Sequence, residues 1–100
     1  MIKHRKTLLV IVAEGVLEKP LVRDACERGA QGWTVSEVRG ASRDGVREGA
    51  WEADRTIELK IVCDDAVADA IADHVLAVYA PNYSLALYFS AVEVLRPDRF

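Results

Sequence analysis

The segment Arg39-Gly-Ala-Ser-Arg-Asp-Gly-Val-Arg47 holds the residue types best able to bind an anion. Its glycines let backbone N–H groups come close to a ligand. Ser42 offers a hydroxyl, and Arg43 and Arg47 offer the forked donors that suit a phosphate or a planar carboxylate-like anion. The plainer alternative is a solvated loop whose arginines pair with Asp44 or Glu48, where exposed pairs contribute only about 0–1 kcal/mol.

Catalytic chemistry finds little support. The chain has no HExxH, no GxGxxG, no GxxxxGK[ST] and no nucleophile elbow. His74 lies on a helical face with no carboxylate or thiol at ligand spacing beyond its neighbour Asp73, and adjacent helix residues do not face each other. It is expected to be an imidazole at the edge of the core. Asp64, Asp65, Asp69 and Asp73 read as a helix N-cap followed by a solvated face. Cys26 and Cys63 have no CxxC partner and sit in apolar runs, so both are expected to be buried free thiols. No catalytic or metal-ligating residue is assigned, and the expectation is a protein that is not an enzyme.

The elements that must position the Arg/Ser loop follow from patterning. Thr7–Ala13 is a dense aliphatic run, short enough for a buried strand. Residues 18–29 read as a helix with Leu17, Leu21, Val22, Ala25 and Cys26 on one face, Pro20 in the first turn and Gly29 suited to the C-terminal cap. Trp33–Arg39 is a second strand. Gly40–Asp54 has no apolar period and exceeds a usual connection, which marks it as a functional loop. Residues 57–62 alternate, with Ile57, Leu59 and Ile61 facing one way and Glu58 and Lys60 the other. Asp64 and Asp65 are N-cap candidates for a helix whose inward face runs Val67, Ala70, Ile71, His74, Val75 and Val78. Leu85–Leu95 forms the last strand, ahead of the tail 96–100. The order β-α-β-β-α-β is an α+β, ferredoxin-like arrangement of one domain spanning residues 1–100.

Composition narrows the function classes. The chain has 100 residues, 51% of them hydrophobic, and a net charge of −3. That is enough for a core and too acidic for nucleic-acid binding. The cluster Lys3-His4-Arg5-Lys6 reads as a solvated lead-in to the first strand. No run approaches the ~18–20 apolar residues of a membrane span, and Leu8–Ala13 is too brief for a signal-peptide core. A cytoplasmic location is expected.

The stretch Gly29-Ala-Gln-Gly-Trp-Thr-Val-Ser-Glu-Val-Arg-Gly40 resembles the second-strand signature of the PII family, a Gly-x-Gln-Gly-x-Thr-Val run leading to Glu-Val-x-Gly and then a long T-loop. The resemblance extends to Ile61-Val-Cys-Asp-Asp65 and to Val92-Glu93-Val94. It implies a homotrimer with an adenine nucleotide between subunits. Gly32 and Thr34, flanking Trp33, match the adenine pocket, and Gly40 matches the T-loop base. Pro81–Leu85, including Tyr83, Ser84 and Leu85, matches the B-loop, and Arg99 matches a phosphate-facing arginine from the neighbouring subunit.

Departures from the family pattern imply which branch is closest. Residues 40–54 contain no tyrosine, so the uridylylation switch is missing. Ala86 stands about where the triphosphate-binding lysine belongs, which favours AMP or ADP over ATP. Gly40-Ala-Ser-Arg43 is similar to the opening of PII-like proteins tied to bicarbonate transport and carboxysomes, where the serine and arginine hold phosphate. No cysteine-containing C-terminal loop precedes Phe100, which points to the carboxysome-associated subgroup. The resemblance thus implies a signalling protein with ADP or AMP as exchangeable ligands, bicarbonate beside them and no tightly bound cofactor. A bicarbonate transporter or carboxysome component is the implied T-loop partner. The rivals are a CutA-type structural or metal-tolerance trimer and a weak nucleotide hydrolase.

Overall fold

A computed structural model describes residues 1–42, 45–47 and 55–100. The elements are β1 (His4–Glu14), α1 (Glu18–Glu27), β2 (Thr34–Val38), β3 (Gly40–Ser42), β4 (Gly45–Arg47), β5 (Thr56–Cys63), α2 (Asp65–Val78) and β6 (Leu85–Val94). A short 3₁₀ turn, Gly15–Leu17, joins β1 to α1, and another follows at Pro97–Arg99. The main sheet is antiparallel in the order β2-β5-β1-β6. Leaving aside the small β3–β4 ladder, this is the ferredoxin-like topology expected.

Alternation divides the sheet into two faces. The register pairs Leu9 with Ile61, Ile11 with Leu59 and Ala13 with Ile57. All six lie at 0% exposure beneath the helices. α1 contributes Leu21 and Ala25 to this core, and Leu17 enters it from the preceding turn. α1 then stops in a Schellman motif. Gly29 takes a φ of +112°, its N–H donates to Cys26 O, and the Ala30 N–H reaches Ala25 O.

Five expectations need correction. β1 begins at His4, because β6 pairs with it as far as His4↔Val94. The basic segment is also bonded: Lys6 Nζ lies 2.7 Å from Asp64 Oδ1, and Arg5 Nη1 lies 3.4 Å from Asp65 Oδ2. Asp64 does occupy the N-cap of α2, but its side chain makes no capping bond, since Lys6 holds it. The buried face of α2 is Ala68, Ile71, Ala72 and Val75, with Tyr79 beyond, while Ala70 and Val78 face outward. Ala68 and Ala72 let the helix lie close to the sheet, and Ile71 and Val75 fill the space beside them. Finally, Cys26 is exposed, and only Cys63 is buried. Burial pushes the Cys63 thiol up.

Candidate functional site

The two ends of the T-loop connection and the B-loop segment meet at one end of the sheet. Across the strands, Glu37 pairs with Ile57, Ile57 with Ala13, and Ala13 with Leu85. The next row pairs Val38 with Thr56 and Thr56 with Glu14. Glu14 Oε2 in turn accepts from the Ser84 N–H at 3.3 Å. The end of β2, the start of β5 and the residues before β6 therefore stand side by side, spanning about 14 Å at normal strand spacing.

The first part of the T-loop region departs from the expectation of an irregular loop. Its backbone forms a two-stranded ladder in which Gly40 faces Arg47, Ala41 faces Val46 and Ser42 faces Gly45. Ser42 and Arg47 are thereby placed on β3 and β4 by their backbone. Arg43 lies outside the described residues, as does the span 48–54.

Glycine is not demanded by packing at Gly32 or Gly40. A Cβ at either position would meet nothing within 4 Å, and neither has a left-handed φ. Open space lies beside both backbones. Trp33 is 50% exposed and Tyr83 38% exposed. Thr34 is exposed on the sheet face opposite the core, in register with Lys60. Ser84 and Leu85 are half-buried, and Leu85 packs against the core.

One chain does not bring every assigned residue together. Thr34 sits four residues from the Val38 end of β2, and Gly32 and Trp33 lie further still. Arg99 follows the far end of β6, where Val94 pairs with His4. Ten residues of β6 separate that end from Leu85, about 30 Å. A site using both Ser84 and Arg99 therefore needs residues from more than one chain.

A second polar cluster joins the helices. Asp24 of α1 is 6% exposed. Its Oδ2 accepts from Tyr79 OH and from His74 Nε2 at 2.8 Å, and its Oδ1 accepts from Arg23 Nε at 3.0 Å. Arg28 Nη2 lies 2.8 Å from His74 Nδ1. A guanidinium can only donate, so Nδ1 is the acceptor and Nε2 carries the proton given to Asp24. Burial alone would raise the Asp24 carboxyl, but the bonds from Tyr79, His74 and Arg23 overcome it and bring the pKa down to about 2. Burial and Asp24 together push the Tyr79 phenol up.

His74 does lie at the core edge, as expected, and there it bridges the two helices through its bonds to Asp24 and Arg28. Asp24, Arg28 and Tyr79 escaped the sequence reading because their partners lie 46 to 55 residues apart. The available signal was an acid at helical spacing from Leu21, between the apolar Val22 and Ala25. Among the described residues no three His, Cys, Asp or Glu side chains are grouped to hold a metal ion. No helix among them is long and apolar enough to cross a membrane.

The antiparallel β2-β5-β1-β6 sheet under two helices, with a long β2–β5 connection, defines a PII-like chain. The family model for nitrogen regulatory protein P-II matches residues 6–99, and the chain belongs to that family, whose members are regulatory proteins. It is 32% identical to a PII-like signalling protein of Thermus thermophilus, covering 100% of this chain and 99% of that one, with a TM-score of 0.87. It also shares its fold with CPII, a nitrogen regulatory PII-like protein of Thiomonas intermedia solved with ADP, AMP and bicarbonate. That match is 18% identical over 99% of this chain and 96% of CPII, with a TM-score of 0.89. A DUF3240 family protein from Shewanella baltica is more distant, at 20% identity over 84% and 86% of the two chains and a TM-score of 0.66.

Proposed function

We propose that this chain is a single-domain, cytoplasmic PII-like regulator. It binds AMP or ADP at the subunit interfaces of a homotrimer, takes bicarbonate beside the nucleotide and signals through residues 40–54 in inorganic-carbon metabolism. It acts by binding and not by catalysis, and its T-loop partner is a bicarbonate transporter or a carboxysome component. The observation that carries the reading is the Gly29–Gly40 signature leading into Gly40-Ala-Ser-Arg43 in a P-II family chain. The ligands of the similarly folded CPII support the choice of ADP, AMP and bicarbonate.

In this reading Gly32, Trp33 and Thr34 line the adenine pocket, and the open space beside Gly32 and Gly40 admits the ligand. Tyr83, Ser84 and Leu85 form its floor. Ser42, Arg43 and Arg47 hold the phosphate and the small anion, and Arg99 reaches in from a neighbouring subunit. Ala86 in place of a lysine leaves a third phosphate without a cation, so AMP and ADP bind more tightly than ATP.

Titration calorimetry with AMP, ADP, ATP and adenosine, with and without bicarbonate, tests this. A charge-assisted hydrogen bond contributes about 1.5–3 kcal/mol, so Arg43→Ala should weaken AMP or ADP about 10- to 150-fold. Adenosine, which has no phosphate, should hardly notice the change. AMP affinity surviving within about twofold would remove Arg43 from the phosphate site.

A further inference from the structure

The corner between β1 and α1 is bonded more heavily than a turn requires. The Gly15 N–H donates to Arg55 O at 2.6 Å, and Gly15 O accepts from Arg55 Nη2 at 3.0 Å. Arg55 Nη1 lies 3.4 Å from Glu18 Oε1 and 3.3 Å from Glu37 Oε1. A Cβ on Gly15 would fall 2.5 Å from Arg55 Nε, so this approach requires glycine. Among the described residues, the buried Arg55 Nε meets no acceptor. Leaving a buried donor unmade is costly, and the fold tolerates it while the rest of the guanidinium is held at the corner.

This corner touches both ends of the T-loop connection and the segment before β6. Arg55 is the residue at which the chain returns to the sheet after the T-loop, directly before β5. Glu37 lies in β2, three residues before Gly40. One position upstream of Gly15, Glu14 holds the Ser84 N–H. An open cavity of about 410 Å³ lies beside Arg55, lined also by Gly15, Glu18 and Lys19.

We infer that Arg55 is a positioning residue which, through Gly15 and Glu14, fixes the two ends of the T-loop and the Tyr83–Leu85 segment relative to one another. A ligand seated at one of these segments is then felt at the others. The coupling rests on the reading of those segments as the nucleotide site, whereas the clamp rests on the geometry alone.

Hydrogen exchange of the wild type, Arg55→Lys and Arg55→Ala, each with and without ADP, tests both parts. Without ligand, the Gly15, Thr56 and Ser84 amides should exchange about tenfold faster in Arg55→Ala. Arg55→Lys should fall between, because it keeps the charge and loses the fork. Amides around Asp24 and His74 should keep the wild-type rate, which also reports that the variant is folded. ADP should slow exchange at both 34–38 and 84–85 in the wild type, and at only one of them in Arg55→Ala. Unchanged Gly15 and Ser84 exchange in Arg55→Ala would overturn the clamp. Equal ADP protection of both segments in that variant would overturn the coupling. A wild type that takes up no ADP would instead overturn the site, and the ligand-free comparison would still decide the clamp. Should Arg55→Ala not fold, Arg55→Lys and Glu37→Gln carry the same comparison.

Discussion

The two faces of the main sheet come from the same strands and meet different fates. On the helix side, Leu9, Ile11, Leu59 and Ile61 are fully covered. On the other side, Leu8, Val12, Val62 and Val92 are only half-buried, and Tyr88 is 52% exposed. Val10 is the exception at 2% exposure, and its register neighbours are Lys60 and Tyr88. Two helices can cover one face of a four-stranded sheet and no more. The helix side therefore holds the chain's own stability, and the open side is where a small domain can bury further apolar surface by associating.

The largest expected effect lies on the covered face. Leu59→Ala removes a side chain at 0% exposure in the middle of β5, and should cost about 3–4 kcal/mol by chemical denaturation. A loss below about 1 kcal/mol would mean that this layer is not the tightly packed one.

A smaller effect belongs to the polar cluster at the helix–helix junction. The Asp24 carboxyl has a pKa of about 2 in the folded chain, against an ordinary 3.8. A depressed folded pKa stabilises the fold above the unfolded value, and that contribution is lost as pH falls through about 4 towards about 2. It amounts to about 2 kcal/mol at neutral pH. Urea midpoints followed from pH 5 to pH 2 should show this loss, and Asp24→Asn should flatten it. An unchanged acid profile in Asp24→Asn would show that Asp24 carries no such linkage.

The smallest effect is expected on the open face. Tyr88→Ala removes a ring that a lone chain already leaves half in water, so it should cost about 1 kcal/mol, and only where copies assemble. The loss should grow with protein concentration, as for any stability linked to association. A Tyr88→Ala penalty independent of concentration would place that ring in the chain's own core.

Legibility in the sequence followed the range of the interaction. The strict alternation of Ile57, Leu59 and Ile61 and the Gly29 cap rest on neighbours a few residues away, and both were readable. The face of α2 was displaced because helical period alone does not tell how near Ala68 and Ala72 bring the helix to the sheet. The Asp24–His74–Tyr79 cluster and the Arg55–Gly15 clamp depend on partners tens of residues apart, which no local pattern encodes. The proposed site rests on the Gly29–Gly40 signature, whereas the separation of its residues over two ends of one chain emerges only from the strand register.

That separation is the strongest reason to look for several chains around each nucleotide. Native mass spectrometry of the wild type with ADP reads assembly and occupancy in one spectrum. The account predicts a species of about three times the 11.1 kDa chain mass carrying up to three nucleotides. A chain that stays monomeric at micromolar concentration, or a trimer that retains no ADP, would contradict it.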